Sequence, residues 1–523
     1  MVEEGEDGLA RTRAPRHLGA AREGTHCICV LALTSIPVAA VKDQPWFGWS
    51  ATSDAAGRMV REWSTDGGSA YTTSGAQAVR SDRYYRYDKA GRLVGVDDIT
   101  GNPGPDGAVP CVRRGYGFDG NGNRSSQTRA TNSGYADTGA VMTTRVFNGA
   151  DQPVTGANGQ GSYAYDLLGR QTCIPAADTA NPGRGDMVMG YFDTDAAQSI
   201  RQGDVRVTFT LDGAGRRLAQ NTTVGPVVVP GAETGQVVRH YTDASDNPAW
   251  TVEVRDGVAT STRFGGLTGE GLGITFTTTG GQTTAELALA GLRGAVNAAV
   301  KLDGTQPASG IDAWNDWDEY GQPAQPATTT VGGAAGADYG WLGQHERATI
   351  DTLGITLMGV RLYNQAVGRF TSTDLIYGGG ANWYRYPTDP INEVDLSGSV
   401  WVSRGTYFTY VRVCGWWRCY RVRNGRTAWM TIHVSAYEMD LWALGTGGYV
   451  GGSIKNIVKS FLRGAGMSVG RAKAIGLGIA GYGYLLWLTK SKMGRYGVDI
   501  HLGFHIGIAS TYWYWRSSRG PAG

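Results

Sequence analysis

Apolar and polar residues alternate along much of residues 50–340, which is the period expected of β-strands with one buried face. Residues 84–87 are Tyr-Tyr-Arg-Tyr, and after a short turn residues 92–96 are Arg-Leu-Val-Gly-Val. Gly, Asn and Asp separate such segments, as they do in hairpin turns. The pattern predicts a mainly β fold. The exception is residues 285–300, whose Ala- and Leu-rich composition predicts an amphipathic helix interrupted by two glycines.

Six turns share the pattern Asp-x-x-Gly, and four of their aspartates directly follow an aromatic residue. They begin at Asp54, Asp88, Asp119, Asp166, Asp212 and Asp318. An aspartate at the start of a turn accepts hydrogen bonds from backbone N–H groups, and a glycine three residues later supplies a position with positive φ. We therefore interpret these aspartates as turn residues rather than as calcium ligands or catalytic acids.

Residues 338–398 contain several blocks of aromatic, glycine and aspartate residues in a fixed order. The blocks are Tyr-Gly-Trp-Leu-Gly-Gln at 339–344, Gly-Arg-Phe-Thr-Ser-Thr-Asp at 368–374, Asn-Trp-Tyr-Arg-Tyr at 382–386 and Asp-Leu-Ser-Gly at 395–398. Together they resemble the RHS repeat-associated core domain of RHS and YD-repeat polymorphic toxins, and the Asp-x-x-Gly units resemble the YD repeat. The resemblance implies a spiral shell wall of β-hairpins at 50–337, closed by the core at 338–398.

In that family the core often cuts the chain just after an Asp-Pro-x-Gly-hydrophobic motif. The matching stretch here keeps Asp395 and Gly398, whereas Leu396 replaces the usual proline and Ser399 the usual hydrophobic residue. The resemblance implies a scissile bond between Ser399 and Val400. The departures from the motif weaken the expectation of cleavage but leave the fold prediction intact.

The resemblance also implies an aspartyl-protease-like pair of carboxylates, one poised as base and one as acid. Asp395 is the first candidate, and Asp374 and Asp389 are the alternatives for the second. All three could instead be turn or capping residues. We interpret Arg361 and Arg369 as structural partners that form ion pairs and hydrogen bonds.

Charge divides the chain near the same boundary. Residues 400–523 hold 16 of the 48 Lys and Arg residues but three of the 46 Asp and Glu residues, so their net charge is +13 against −11 for residues 1–399. We predict that residues 399–523 form a small α+β domain, rich in Gly and Trp, that is the effector of the carrier. A basic effector suits an anionic membrane or a nucleic acid as its partner.

A membrane-active effector is the first hypothesis, because residues 474–488 contain no charge and lie between Lys- and Arg-bearing segments. Its membrane-contact candidates are Ile475, Leu477, Ile479, Leu485, Leu486 and Trp487. Fifteen residues fall short of the ~20 that a spanning helix needs. A buried glycine-rich helix of a soluble domain is the alternative.

A nuclease is the second hypothesis for the effector. Residues 498–508 alternate like a strand, which places Asp499, His501 and His505 on one face. With His433 they could form an acid–base or metal site. Ordinary polar residues on a solvated face are the alternative. No zinc-site spacing of Cys or His is present, and we expect no metal and no cofactor.

The remaining predictions concern location and covalent state. An apolar run at 28–41 resembles the apolar region of a signal peptide, but the 27 residues before it include acids at positions 3, 4, 6 and 7, and the alternative is that residues 1–49 are a truncated or misassigned start. We expect a secreted or cell-surface protein that lacks an N-terminal carrier region and has an immunity protein as partner. A turn at Asn424-Gly425 is predicted, as is either a Cys414–Cys419 disulfide or two free thiols. A structural or adhesive cell-envelope repeat protein without a toxic tail is the competing class.

Overall fold

The computed structural model describes most of the repeat and core regions and part of the C-terminal segment. The described residues are 27–29, 49–64, 81–100, 111–132, 138–225, 235–242, 245–266, 272–302, 311–323, 339–374, 382–396, 398, 401–414, 419–434, 498–506 and 510–517. They form a mainly β protein of four antiparallel sheets. Short 3-10 turns occur at Ala157–Gly159, Ala176–Asp178, Pro182–Arg184 and Gly343–His345.

The first sheet has eight strands that neighbour one another in chain order, as successive hairpins do. Its strands are β1 (Cys27–Cys29), β2 (Trp49–Ser53), β3 (Met59–Ser64), β4 (Asp82–Tyr87), β5 (Leu93–Asp98), β6 (Cys111–Phe118), β7 (Arg124–Asn132) and β8 (Thr138–Thr144). β1 overlaps the first two residues of the apolar run at 28–41, and the rest of that run lies outside the described residues.

The second sheet has thirteen strands, again in chain order. Its strands are β9 (Ala164–Tyr165), β10 (Gln171–Ile174), β11 (Met187–Tyr191), β12 (Ala197–Gln202), β13 (Val205–Leu211), β14 (Arg217–Val224), β15 (Gly235–His240), β16 (Trp250–Arg255), β17 (Val258–Gly265), β18 (Ile274–Thr279), β19 (Gln282–Ala290), β20 (Val296–Leu302) and β21 (Ala313–Trp314). Within the described residues neither large sheet closes on itself.

Two smaller sheets follow. One has four strands, β22 (Thr349–Ile350), β23 (Ile355–Met358), β24 (Arg361–Asn364) and β25 (Arg369–Phe370). The other has five, β26 (Glu393–Asp395), β27 (Trp401–Cys414), β28 (Cys419–Val434), β29 (Val498–Ile506) and β30 (Ser510–Ser517). The last strand of the core region, β26, therefore shares a sheet with the C-terminal segment.

The four-stranded sheet is buried on both faces between the two large sheets. Leu362 on β24 belongs to an apolar cluster with residues of the thirteen-stranded sheet such as Ile200. Its neighbour Tyr363 belongs to a second cluster with residues of the eight-stranded sheet such as Val96. Because consecutive side chains of a strand point to opposite faces, one short sheet fills the space between two walls.

A buried polar network ties the eight-stranded sheet to residues just upstream of the core. Arg114 on β6 donates to both carboxylate oxygens of Glu319, at 2.8 and 2.9 Å, and to Asp98 at 2.7 Å. Arg83 on β4 donates to the same Asp98 oxygen at 2.9 Å and pairs with Asp316. Each ion pair in the network offsets part of the free-energy cost of removing its two charges from water.

The two large sheets also contact each other directly. Arg293, in the turn between β19 and β20, donates to Glu62 on β3 at 2.8 Å. Trp49 on β2 packs in an apolar cluster with Leu287 and Val300 of the second sheet. These contacts join residues that are more than 230 positions apart in the chain.

Two local predictions are wrong. Residues 285–300 form strands of the β19–β20 hairpin and not a helix, because Gly294 takes a φ of 84° and closes a tight turn. No turn occurs at Asn424-Gly425, since β28 runs through both residues and the ladder with β27 accommodates them by a bulge.

Candidate functional site

The Asp-x-x-Gly turns have the hydrogen bonds that the sequence predicts. In the turn at Asp88, one carboxylate oxygen accepts from the backbone N–H groups of Ala90 and Arg92, each at 2.9 Å, and the other accepts from the Arg92 guanidinium at 2.7 Å. Gly91 has a φ of 85°. Partial burial opposes the shift, but the hydrogen bonds from Arg92 lower the pKa of Asp88. The other five turns repeat the two hydrogen bonds from backbone N–H groups and the glycine with positive φ, whereas the guanidinium contact recurs at Asp54, Asp166 and Asp212.

A seventh turn of the same kind was not predicted. Asn148 Oδ1 accepts from the backbone N–H groups of Ala150 at 2.9 Å and Gln152 at 3.0 Å. Asp151 takes the positive φ, 61°, that glycine supplies elsewhere. Asn is isosteric with Asp, and Asp tolerates the left-handed region better than most residues, so the pattern Asn-x-x-Asp carried the signal.

Two of the three predicted carboxylates meet on one guanidinium. Arg361 on β24 lies 3.1 Å from Asp374 and 3.2 Å from Asp395, and the same nitrogen, Nη2, makes both contacts. Arg361 is 3% exposed and stacks over the ring of Phe370, 3.7 Å from its centroid. The site is thus assembled by β24, the end of β25 and β26, on the buried sheet between the two walls.

The chain at the predicted junction is held against this site. Gly398 has a φ of 71°, and a Cβ there would lie 2.5 Å from the carbonyl oxygen of Met358 and 3.0 Å from the backbone nitrogen of Arg361. The bond between Ser399 and Val400 lies outside the described residues. On either side of it, β26 and β27 pair as an antiparallel hairpin in which Asp395 faces Trp401 across the ladder.

Asp389 lies apart from that pair and organises a different turn. Its carboxylate accepts from the side-chain amide of Asn392 at 2.8 Å, and Asn392 in turn accepts from the backbone N–H of Met59 at 2.8 Å. Burial raises the pKa of Asp389 to about 6, although Asn392 opposes the shift. Burial, and then the charge of Asp389, raise the pKa of Glu393 to about 8. The two acids therefore form a second, separate carboxylate pair.

The interpretation of Arg361 and Arg369 as structural partners is confirmed by their contacts. Arg369 donates to the side-chain oxygen of Asn123 at 2.6 Å and to the backbone oxygen of Asp151 at 2.7 Å. Burial lowers the pKa of Arg369 to about 10, although nearby tyrosines and Asp151 favour its charged form. Arg369 thus joins the core to two turns of the wall.

The nuclease candidates lie on neighbouring strands of the five-stranded sheet. β28 and β29 pair His433 with Asp499, Thr431 with His501 and Thr427 with His505. His501 Nδ1 lies 2.7 Å from the hydroxyl of Thr431. The backbone register therefore brings the four candidates onto two paired strands. Cys414 and Cys419 are also paired in register, whereas their side chains lie outside the described residues.

The membrane-contact candidates lie outside the described residues, as does the whole run at 474–488. In the part of the chain that is described, no helix is long and apolar enough to cross a bilayer. Nor do the described residues bring together three or more His, Cys, Asp or Glu side chains in a way that could hold a metal ion.

Fold and site define a class of mainly β protein in which successive hairpins form two large sheets that enclose a small buried sheet. A solved structure of this fold is that of "TcdB2-TccC3 without hypervariable C-terminal region", with a TM-score of 0.52 and 15% identity over 68% of this chain. The chain spans 17% of the length of that structure.

Two further structures, "TcdB2-TccC3-Cdc42" and "TcdB2-TccC3-TEV", match 68% and 67% of this chain at 14% and 15% identity, each over 20% of its own length. Their TM-scores of 0.32 do not define a common fold. No family model and no curated protein matches the sequence.

Proposed function

We propose that this chain is the C-terminal part of an RHS-type carrier that encloses and delivers a polymorphic toxin effector, and that its core cuts the chain between Ser399 and Val400. The observation that carries the proposal is the meeting of Asp374 and Asp395 on Arg361, directly beside Gly398. The structural neighbour, "TcdB2-TccC3 without hypervariable C-terminal region", supports a carrier that is followed by a variable effector.

The chemistry of the cut follows from the paired carboxylates. In the proposed cut, one carboxylate would take a proton from the attacking water molecule, and the other, in its protonated form, would give its proton to the leaving amide nitrogen. Arg361 is the positioning residue, since it holds both side chains within reach of one nitrogen. The positive φ and the missing side chain of Gly398 allow its backbone to lie close to that of Arg361.

Denaturing electrophoresis and intact mass of the purified full chain test the cut. We expect fragments of 399 and 124 residues, and a single uncut chain for Asp395→Asn and for Asp374→Asn. Asp389→Asn is the matched control, because that aspartate lies in the separate carboxylate pair, and it should still be cut. A wild-type chain that stays whole after long incubation, or a cut that survives Asp374→Asn, would refute this assignment.

For the effector, membrane activity rests on the uncharged run at 474–488 and nuclease activity on the register that pairs His433 with Asp499. Both are assayed on the full chain after the cut, by dye release from anionic liposomes and by degradation of added DNA and RNA. Membrane activity predicts leakage that Gly478→Glu abolishes, because a charge in an inserted helix costs roughly 2.5 kcal/mol or more. Nuclease activity predicts degradation that His501→Ala abolishes.

A structural or adhesive envelope protein is the remaining alternative. The carrier proposal predicts that expression of the chain impairs bacterial growth in the cytoplasm or the periplasm, and that a dedicated immunity protein relieves the impairment. It further predicts that the chain is exported to the cell surface or the medium. Normal growth in both compartments would favour the adhesive alternative.

A further inference from the structure

A cavity of about 180 Å³ lies between the thirteen-stranded sheet and the core sheet. The start of β14 and the end of β15 form one wall, and the turn at Gly359-Val360, between β23 and β24, forms another. Ligand sites for drug-sized molecules measure about 300–1,000 Å³. This cavity is therefore suited to a single small group.

The cavity is lined by four arginines and two carboxylates. Two of the arginines are matched by acids: Arg216 pairs with Asp212 at 2.7 Å, and Arg347 pairs with the lining residue Asp246 at 2.7 Å. The other lining carboxylate is Glu346. Counting Asp212, which pairs with Arg216 from outside the lining, four arginines stand against three carboxylates, which leaves one formal positive charge in excess.

Arg239 on β15 is the arginine that the surrounding protein satisfies least. Its side chain is 6% exposed, and its Nη2 donates to Gln220 Oε1 at 2.9 Å. Its Nη1 is buried and, within the described residues, has neither a hydrogen-bond partner nor an acidic partner. A buried guanidinium nitrogen without a partner is costly, so its position on a cavity wall points to an anion as the missing partner.

The neighbouring Arg217 fixes the opposite wall. It donates to the backbone oxygens of Gly359 and Val360, the latter at 3.3 Å. Its guanidinium also lies over the ring of Phe209, 5.6 Å from the centroid. Because Arg217 holds the turn in place, the cavity is built by packed groups on both sides and not by mobile surface side chains.

We propose that this cavity binds a small oxyanion of the phosphate class. Guanidinium groups present planar N–H donors that match the oxygens of phosphate, and here four arginines line one small cavity. A tetrahedral anion can accept from Arg239 Nη1 and from a second arginine at once, whereas a carboxylate offers oxygens in one plane only. The inference does not depend on cleavage at the core.

Calorimetric titration of the full chain with inorganic phosphate, at constant ionic strength, tests the site. Wild-type protein should bind phosphate, and Arg239→Gln should raise Kd at least about tenfold, which corresponds to 1.4 kcal/mol. Arg263→Gln, which changes an exposed arginine of the same sheet, is the matched control and should leave Kd unchanged. Acetate titrated in parallel should bind more weakly than phosphate.

A folding readout keeps the test decisive. Without phosphate, Arg239→Gln should unfold at the same temperature as wild type or higher, because it removes a buried unmatched charge. With saturating phosphate, wild type should be stabilised and Arg239→Gln should not. Arg239→Lys, which keeps the positive charge but not the planar set of guanidinium donors, should bind phosphate with intermediate affinity. Absence of phosphate binding in the wild type, equal Kd for Arg239→Gln, or tighter binding of acetate would overturn the proposal.

Discussion

Replacing Arg114 by Met removes the centre of the buried network while keeping an apolar side chain of similar length. In the wild type, Arg114 makes a two-pronged contact with Glu319 and a third hydrogen bond to Asp98. After the change, Glu319 keeps the hydroxyl of Tyr116, which donates at 2.7 Å, and Asp98 keeps Arg83 at 2.9 Å. The variant therefore leaves the buried Glu319 with one hydrogen-bond partner, whereas Asp98 also keeps the backbone N–H of Thr100 at 3.1 Å.

Removing one member of a buried ion pair costs about 3–5 kcal/mol. Because Tyr116 still donates to Glu319 and Arg83 to Asp98, we expect a loss at the lower end of this range, about 3 kcal/mol in the free energy of unfolding at pH 7. Burial raises the pKa of Glu319, but Arg114 overrides it and lowers that pKa to about 2. The stability from this pairing is thus present above the unfolded pKa of about 4.5 and is lost as the pH falls toward 2.

Urea unfolding of wild type and variant at pH 7 and at pH 4 measures the effect. The matched control is Arg113→Met, the adjacent residue on β6, whose side chain is 45% exposed and pairs with Asp97 at 2.9 Å. An exposed pair contributes at most about 1 kcal/mol, so the control should change little. A loss below about 1 kcal/mol for Arg114→Met, or an equal loss for both variants, would refute the reasoning.

Three further changes test the turns and the core. Gly398→Ala should slow the proposed cut and destabilise the fold by roughly 1–3 kcal/mol, since its Cβ would lie 2.5 Å from a backbone oxygen. Gly120→Ala, which has open space around it, should have neither effect. Electrophoresis measures the cut and urea unfolding measures the stability of both variants. Burial raises the pKa of Glu393, which favours the protonated folded state, so the stability of the wild type should fall as the pH rises from 4.5 to 8. Glu393→Gln should abolish this fall, which the melting temperature measured against pH would show. Asp88→Ala should cost about 1–2 kcal/mol in urea unfolding through lost turn hydrogen bonds, and added calcium should change neither protein.

The turns could be predicted because their interactions are local. In the turn at Asp212, the carboxylate contacts the backbone of Ala214 and the backbone and side chain of Arg216, all within five residues. Such contacts depend on residue type and spacing, which the sequence shows directly. The mainly β fold followed for the same reason, since each hairpin pairs strands that are neighbours in the chain.

The β19–β20 hairpin was mistaken for a helix because burial removes the strand pattern. Residues 296–300 are buried without exception, so the alternation that marks a half-exposed strand is absent there. Ala and Leu also favour helices when no tertiary contact decides. The turn between the strands repeats the geometry of the aspartate turns, with Gly291 in the place of aspartate, and the side-chain signal is therefore missing.

The buried ion pairs and the arginine-lined cavity could not be predicted from the sequence. Arg114 and Glu319 are 205 positions apart, and Arg217 contacts the turn at 359–360 through the packing of one sheet on another. A single sequence shows that arginines and acids are present, but not which of them become buried when the chain folds. The cost of burying a charge then decides which pairs must form.

The choice between Asp374 and Asp389 shows the same limit at the candidate site. Asp389 is only six residues from Asp395, and Asp374 is 21 residues away, so distance along the chain alone would favour Asp389 as the neighbour of Asp395. Asp374 and Asp395 lie near each other because both contact Arg361, which is on a strand that is buried on both faces. Asp389 is drawn instead to Asn392 and the first hairpins of the wall. A buried cation thus selects its two carboxylates by position in the packed core, and the assembly of the pair depends on both walls being in place.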